Sequence, residues 1–418
     1  MKILLTSDFF FPDMRGGAER SILEITIGLV KQRHDVVVYS KSTTSHKRGK
    51  NMHVNAITPP LIDGIGKYLW PVNDMIHFFL LFKMIQKERP DVILTQQSIS
   101  FISVLIATLL RIPCFQMIRD VSYFCPTFYG LIPKGVGLVP CDISKRSFHH
   151  CFYCVMRRDL IQYRIGIASH HSLFNKVVNL GFCVNIIRTR LYDALLKYTT
   201  KVFVSSKMLL DFTRAHASKS IIVPMTPISF DKRMNPENIK GPDFMNKKYN
   251  MSSDTLKLLI ISSINGNYTK GVDFIIENVL PRLKRSVVLF IAGSKELQGT
   301  SSPRVIDLGR LDTTAISEML SYVDLLLVPS VWIESFGRVV IEGIFHNKPV
   351  FASNRVGALD DESYPFIKRL KLSATTWINE IEQFQPAHLI INDKEREHIL
   401  QKYSTQNCVN IIEKKIKR

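Results

Sequence analysis

The sequence lacks the features that mark membrane-spanning or secreted chains. No run reaches the roughly 18 uncharged apolar residues that a membrane-spanning helix needs, and the most apolar segments, 70–85 and 98–110, are predicted to be buried helices. The first five residues form too short an apolar run for a signal peptide, and Asp8 interrupts it. We therefore expect a cytoplasmic protein whose seven cysteines are reduced.

Acidic residues are scarce relative to basic ones. The chain has 36 Asp and Glu against 55 Lys and Arg, a formal net charge of +19. Between Lys134 and Lys219 there are fourteen basic residues and only four acids, all Asp. This excess favours anionic partners, so the stretch is interpreted either as a solvated basic face or as a surface for an anionic membrane or another polyanion.

Short β-branched runs alternate with amphipathic segments of helical length throughout the 418 residues. Near-continuous apolar strands between helices predict parallel sheets covered on both faces, and there are too many strands for one sheet. We predict an α/β protein with two Rossmann-like domains, residues 1–225 and 226–393, facing a central cleft. A basic, Cys-containing insert is placed at about 125–195, and a C-terminal helix at 394–418 is predicted to pack back on the first domain.

The first strand is followed by a loop that ends in Gly16 and Gly17, immediately before a predicted helix. Adjacent glycines at a helix start allow backbone amides to approach an anion, with help from the helix dipole. A tight turn without any ligand explains the same residues. The dinucleotide-binding pattern Gly-x-Gly-x-x-Gly is absent, so a nicotinamide or flavin cofactor is not predicted.

The strongest pattern follows the predicted strand 323–328. Gly337 opens a helix whose first amides suit a diphosphate, and Glu334 and Glu342 lie on either side of these amides. A carboxylate accepts two hydrogen bonds from vicinal hydroxyls, so both acids suit sugar or ribose recognition. The competing interpretation is an N-terminal acid and a solvated helix Glu, although Glu342 lies in an otherwise apolar stretch.

This segment resembles the Glu-x7-Glu motif of the family-4 retaining glycosyltransferases, which have the GT-B fold. The Gly-Gly loop, Thr269-Lys270-Gly271, Gly309-Arg310-Leu311 and Lys348-Pro349-Val350 are similar to other family segments and occur in the family's order. The resemblance implies a metal-independent hexosyltransferase that uses a nucleoside-diphosphate sugar and retains the anomeric configuration. It implies that the first domain binds the acceptor and the second binds the donor.

The resemblance assigns roles to residues of both domains. Glu334 is expected to bind the transferred sugar, Glu342 the ribose, and Lys270 the diphosphate. The family's Arg five residues before the Lys is replaced by Asn265, and Arg338 is a candidate substitute. The predicted donor-binding set is Gly16, Gly17, Asn265, Lys270, Ser335, Phe336, Gly337, Arg338, Val339 and Glu342.

Arg119 and Asp120 stand where many relatives carry a His near the transferred sugar. They are predicted, with Glu334 and Lys270, to be catalytic. A buried Arg–Asp structural pair is the alternative.

Four cysteines in the insert have a spacing that includes a half-site for zinc. Cys151 and Cys154 are separated by two residues, and Cys125 and Cys141 precede them. A structural zinc and buried free thiols are both open interpretations. No catalytic metal is expected, because the fold class does without one and Asp360-Asp361 is not an Asp-x-Asp motif.

The predicted function is transfer of a sugar to a glycan or lipid-linked acceptor in surface polysaccharide or glycolipid assembly, with peripheral attachment to the inner face of the membrane. One alternative is an inactive sugar-nucleotide-binding protein, suggested by Asn265 and Arg119. The other is a basic nucleic-acid-binding protein, which would have steeply salt-dependent binding and no role for the two glutamates.

Overall fold

A computed structural model describes most of the chain: residues 1–11, 17–41, 48–49, 52–56, 70–134, 137–142, 147–158, 160–161, 182–213, 218–224, 249, 251–252, 254–262, 267–293, 302–386 and 391–417. Gly16, Asn265 and the predicted boundary at 225/226 lie outside these ranges.

The first domain is built on an eight-stranded sheet, with a separate two-stranded hairpin formed by β7 and β8. The sheet order is β10-β9-β6-β5-β1-β2-β4-β3, and every neighbouring pair is parallel except β3 and β4. The strands are β1 (Lys2–Ser7), β2 (Asp35–Ser40), β3 (Arg48–Gly49), β4 (Met52–Ala56), β5 (Val92–Gln96), β6 (Cys114–Ile118), β7 (Leu131–Lys134), β8 (Gly137–Pro140), β9 (Lys201–Val204) and β10 (Ser220–Ile222).

The second domain has a six-stranded, fully parallel sheet in the order β13-β12-β11-β14-β15-β16. This is the doubly wound order, in which the chain reverses direction across the sheet at one point. The strands are β11 (Leu256–Ile261), β12 (Val287–Ala292), β13 (Val305–Asp307), β14 (Leu325–Val328), β15 (Val350–Ser353) and β16 (Ile367–Leu370). The predicted pair of parallel α/β sheets is therefore confirmed.

Helices cover both faces of each sheet and thereby bury its central strands on both sides. In the first domain they are α1 (Gly17–Lys31), α2 (Trp70–Glu88), α3 (Ser100–Leu110), α4 (Phe148–Met156), α5 (Val184–Leu195) and α6 (Lys207–Phe212). In the second domain, helical turns run from Asn267 to Arg282 and include a π-helix at Ile275–Val279. The helices that follow along the chain are α7 (Thr313–Tyr322), α8 (Arg338–Phe345), α9 (Ala374–Gln383), α10 (Asp393–Lys402) and α11 (Thr405–Ile416).

The end of the chain returns to the first domain through two helices, where a single helix over 394–418 was predicted. Ile399 of α10 packs in the second domain's core, whereas Val409 and Ile412 of α11 pack with β1 and α1. The break occurs because the Ser404 side chain accepts a hydrogen bond from the Asn407 amide and starts a new helix. Only α11 therefore contacts the first domain's core.

Candidate functional site

The second domain has its reversal point between β11 and β14. In doubly wound sheets, ligands bind outside the carboxyl ends of the strands at this point. The segments that follow these two strands contain Lys270 and Glu334, which are 64 positions apart in the sequence. The topology thus brings together two of the predicted site residues.

Lys270 is held in place by the glycine that follows it. Gly271 has φ +76°, and a Cβ atom there would lie 1.9 Å from the carbonyl oxygen of Pro329, just beyond β14. The Val331 amide donates to the Thr269 carbonyl at 2.8 Å. Only glycine allows this close approach of two main chains, so the Lys-Gly turn is fixed against the loop that carries Glu334.

The Lys270 ammonium contacts the Glu334 carboxylate directly, with 2.6 Å between Nζ and Oε1. The Ser330 hydroxyl donates to the other carboxylate oxygen. The backbone of Glu334 is also fixed, since its amide donates to Arg355 and its carbonyl accepts from Gly357, each at 2.9 Å. The pair is largely buried, and its charges therefore interact more strongly than an exposed pair would.

Gly337 precedes α8 with φ +89° and has no side-chain cap. It is buried, and a Cβ atom there would lie 2.7 Å from Val356 Cγ1, so packing as well as backbone conformation requires glycine. The Phe336 side chain points into the core, where its ring lies 5.1 Å from that of Tyr403. At Phe336 and Gly337, only main-chain groups are therefore available to a ligand. The role of these groups in diphosphate binding stays a prediction.

Arg338 and Glu342 lie one turn apart on α8. The Arg338 Nε atom is 4.0 Å from Glu342 Oε1, and one terminal nitrogen is 3.5 Å from the Ser21 hydroxyl of the first domain. A Cβ atom on Gly17 would lie 3.4 Å from Arg338 Cδ. Burial lowers the pKa of Arg338, and the nearby Glu342 opposes this shift. Arg338 thus extends from α8 of the second domain to the start of α1 in the first domain.

The first domain's reversal point lies between β1 and β5, and it carries residues that the sequence analysis missed. The Gln97 side-chain oxygen accepts from the Ser7 hydroxyl and the Asp8 amide, each at 2.9 Å, and its nitrogen donates to Glu19 at 2.7 Å. Gln97 has φ +63°, an uncommon conformation for a residue other than glycine. The rule that ligands bind at strand ends could have identified Asp8 and Gln97 from the sequence.

Arg119 follows β6 at this same edge. Its Nε donates to Gln96 at 3.1 Å, and burial lowers its pKa to about 10, a shift that the nearby Glu19 carboxylate opposes. Asp120 is exposed and accepts from the Ser122 amide at 2.8 Å, so Arg119 and Asp120 are not a buried pair. Both side chains line one cavity, as a sugar-contacting pair requires, and their catalytic roles stay predictions.

The four insert cysteines line one small apolar cavity together with His150. Burial raises the pKa of the Cys154 thiol to about 12, and the other three cysteines add to this shift. Within the described ranges, no three Cys, His, Asp or Glu side chains have the arrangement of metal ligands. The hairpin and α4 thus bring the four thiols to one place, but zinc binding stays a prediction.

Comparison with known proteins identifies the same two halves. Residues 15–130 match the model of "Glycosyltransferase Family 4", and residues 255–367 match that of "Glycosyl transferases group 1". Together the two matches span more than half of the chain.

Two curated proteins are similar over nearly the whole chain. An uncharacterized 42.6 kDa protein in the cps region of Klebsiella pneumoniae is 22% identical over 391 residues, covering 87% of each chain. The α-1,3/1,6-mannosyltransferase ALG2 of Saccharomyces cerevisiae is 22% identical over 400 residues, covering 92% of this chain and 76% of the yeast protein.

Solved structures share the fold over the full length. Sucrose-phosphate synthase of Thermosynechococcus elongatus has a TM-score of 0.65 at 14% identity, with 99% of this chain and 97% of the other covered. Anabaena HepE in complex with UDP-glucose has a TM-score of 0.62 at 15% identity, with 100% and 99% covered. Family models match in both domains, and enzymes of this fold match from end to end; the chain belongs to the family-4 group of glycosyltransferases with the GT-B fold.

Proposed function

We propose that this glycosyltransferase moves a hexose from a nucleoside-diphosphate sugar to an acceptor, with retention of the anomeric configuration and without a catalytic metal. The single observation that carries the proposal is the Lys270–Glu334 contact at the reversal point of the second sheet. A cation for the diphosphate and a carboxylate for sugar hydroxyls lie next to each other there, as a bound sugar nucleotide requires. Retention and metal independence rest on the family resemblance.

The chemistry follows from where negative charge accumulates. When the anomeric C–O bond breaks, the leaving diphosphate gains charge, and Lys270 and the first amides of α8 would stabilise it more in the transition state than in the ground state. The acceptor hydroxyl forms the new bond to the anomeric carbon, and its proton passes to a diphosphate oxygen. Such attack on the face that the leaving group vacates retains the configuration and needs no protein nucleophile.

The donor assignment is tested by a thermal-shift panel of UDP-, GDP- and ADP-sugars, because a ligand that binds only the folded state raises the melting temperature. One sugar nucleotide should stabilise the wild-type protein, and Glu342→Ala should remove that shift. Glu397→Ala, at an exposed position of α10, is the control and should keep the thermal shift. If Glu342→Ala binds the donor as wild type does, the ribose role of Glu342 is wrong.

Activity itself separates an enzyme from an inactive binding protein. Slow donor hydrolysis or sugar transfer, followed by release of the nucleoside diphosphate, should be measurable without added metal and should survive EDTA. Donor binding with no turnover against any glycan or lipid acceptor would support the inactive alternative instead.

The acceptor is proposed to be a surface glycan or its lipid-linked precursor. The Klebsiella relative is described as a protein of the cps region, and a similar fold occurs in WaaG, described as a glycosyltransferase involved in lipopolysaccharide biosynthesis (TM-score 0.55). The proposal predicts transfer to isolated lipid-linked oligosaccharide fractions rather than to free monosaccharides.

Membrane attachment is proposed through α4 and α5, which pack together on the insert. Ile187 and Leu191 of α5 and Phe152 of α4 are exposed. Two nearby aromatic rings lie under cations, with Arg157 over Tyr153 at 4.2 Å and Lys197 over Tyr198 at 4.9 Å. Apolar side chains bordered by cations suit the surface of an anionic bilayer. No helix in the described part of the chain is long and apolar enough to span a membrane.

Vesicle co-sedimentation tests this surface. The wild-type protein should sediment with phosphatidylglycerol vesicles at low salt but not with phosphatidylcholine vesicles. The double variant Ile187→Gln/Leu191→Gln should lose binding, whereas Ile27→Gln, an exposed residue of α1, should not. Absence of wild-type binding at low salt would refute the attachment.

A structural zinc at Cys125, Cys141, Cys151 and Cys154 is proposed as a separate feature of the insert. Thiolates that share one cavity could close around a single ion after side-chain rotation. Elemental analysis of protein purified without chelator should find about one zinc per chain, and Cys151→Ser/Cys154→Ser should lose it. Purified protein that contains no metal, and in which all seven thiols react with a thiol reagent after unfolding, would establish free cysteines.

A further inference from the structure

A polar cavity of the first domain lies at the carboxyl ends of β1, β5 and β6, and its volume is about 210 Å³. The segment after β6 forms one wall, and Ile333, next to Glu334, packs against this segment from the second domain. The cavity therefore opens beside the loop that is proposed to hold the donor sugar. Its polar lining includes Asp8, Ser98, Arg119, Asp120, Arg188 and Tyr192.

Arg188 is the unusual member of this lining. It belongs to α5, yet only 7% of the residue is exposed. Its guanidinium carbon lies 4.8 Å from the ring centre of Phe128 and 5.3 Å from that of Tyr192. Its Nε atom has no hydrogen-bond partner among the described residues, and none of its described contacts is with a carboxylate. A buried cation without a counter-ion is costly, so such a position suits a ligand that supplies negative charge.

The two acids of the cavity have other partners. The Asp8 carboxylate accepts from the Ser98 amide at 2.9 Å and from the Ile99 amide at 3.0 Å, and it lies 3.7 Å from the Lys41 ammonium. Asp120 accepts from the Ser122 amide. Asp8 is paired with Lys41, and neither acid has a described hydrogen bond or ion pair with Arg188.

Arg119 provides a second cation in the same lining. Its hydrogen bond to Gln96 is extended by a 2.9 Å bond from Gln96 to the Ser7 hydroxyl, so the side chain is held by the ends of β1 and β5. Planar guanidinium groups bind phosphate and carboxylate oxygens through paired hydrogen bonds. Two of them in one cavity, one without a counter-ion among the described residues, form a site for an oxyanion.

We infer that this cavity is the acceptor subsite and that Arg188, assisted by Arg119, binds an oxyanion of the acceptor, a phosphate or a carboxylate. The identification of the ligand as the acceptor rests on the proposed function, whereas the anion site is argued from the cavity alone. The preferred acceptor is therefore anionic next to the sugar that is modified, as in a sugar linked to a phosphate group or a uronic acid. The anion would position the attacking hydroxyl toward Glu334.

Calorimetric titration of the full-length protein tests the site after the donor pocket has been saturated with the nucleoside diphosphate that gives the largest thermal shift. The two probes are pyrophosphate and glucuronate. At least one should bind the wild type, Arg188→Gln should weaken this binding at least tenfold, and Arg188→Lys should weaken it less. Arg190→Gln is the matched control, because it is an exposed arginine on the same helix. Affinity for the nucleoside diphosphate should stay within about twofold in all variants.

The two probes distinguish the sources of the anion: tighter binding of pyrophosphate indicates a phosphate-linked acceptor, and tighter binding of glucuronate a uronic acid. Equal binding by Arg188→Gln and wild type, or equal loss in the Arg190→Gln control, would overturn the inference. If no nucleoside diphosphate binds but pyrophosphate binding still depends on Arg188, the donor assignment fails and the anion site stands. Circular dichroism and melting temperature confirm that each variant is folded.

Discussion

Both sheets have a reversal point at their first strand, but their carboxyl edges are built from different groups. The first edge is a network of side chains, in which Gln97 joins Ser7, Asp8 and Glu19. The second edge is made by main chains in close approach, because Gly271 lies against Pro329 and Gly293 lies against Ser262. Both glycines have positive φ, whereas at the first edge a described residue with positive φ is Gln97.

The difference indicates what each edge is suited to bind. Side chains that fix one another create a small polar pocket, which suits an acceptor recognised through a few groups. Glycine turns let main chains pack closely beside Lys270, which suits the proposed binding of a diphosphate. The proposed function thus assigns acceptor recognition to the first edge and diphosphate binding to the second.

The largest expected effect comes from removing the glycine turn of the second edge. Gly271→Ala places a Cβ atom 1.9 Å from a carbonyl oxygen, so we expect a loss of roughly 4 kcal/mol or more in unfolding free energy. Gly309→Ala is the matched control: Gly309 has φ +61°, but nothing lies within 4 Å of a Cβ atom there, and about 1 kcal/mol is expected. Urea denaturation measures both, and equal losses would contradict the packing argument.

Removing the cation of the second edge should slow catalysis. Lys270→Ala takes away the charge that stabilises the leaving diphosphate, and we expect kcat to fall by roughly 100-fold or more, which is about 3 kcal/mol in the barrier. Lys371→Ala, an exposed lysine of the same domain, should leave kcat unchanged. Steady-state kinetics would refute the role if Lys270→Ala changed only KM.

Among the described residues, burial is the main cause that lowers the pKa of His77 in the first domain and of His346 in the second to about 4. A histidine that stays neutral in the folded state binds its proton at higher pH in the unfolded state, so stability is retained above pH 6.5 and falls as the pH is lowered toward 4. His346→Gln should reduce the loss of unfolding free energy between pH 7 and pH 5 by roughly 2 kcal/mol. Denaturant unfolding of wild type and variant at pH 7 and pH 5 measures this difference. An unchanged pH dependence in the variant would contradict the lowered pKa of His346.

The smallest effect is expected at a contact between the domains. The Asp360 carboxylate accepts from the Lys207 and Met208 amides at 2.9 and 2.6 Å and so caps α6 from the second domain. Asp360→Ala should cost about 1 kcal/mol, and Asp360→Asn less, because one amide oxygen can still accept. Equal melting temperatures for wild type and Asp360→Ala would show that the contact contributes nothing.

Several features of the fold and site were predictable from local patterns. Apolar strands such as 256–261 and 323–328 predicted parallel sheets, because strands buried on both faces need no polar alternation. The Glu334–Glu342 spacing predicted an acid on each side of a helix start. The Thr269-Lys270-Gly271 turn was recognised only by resemblance, since nothing local shows that Pro329 lies against it.

Other features could not be predicted from the sequence, because they depend on residues far apart in the chain. The cavity around Arg188 joins strand ends from three parts of the first domain, and Arg188 itself is one of many basic residues in a stretch interpreted as a surface. The break between α10 and α11 was also missed, although Ser404 is a recognisable cap.

The sequence alone determined the class of fold and supplied candidate groups for the proposed donor site, because hydrophobic periodicity and turn glycines are local properties of the chain. Tertiary structure decided which of these groups meet. Lys270 and Glu334 are brought into contact by strand order, and Arg188 is removed from solvent by the packing of α5. Burial and proximity depend on the whole fold, and they turn a common charged side chain into a member of a site.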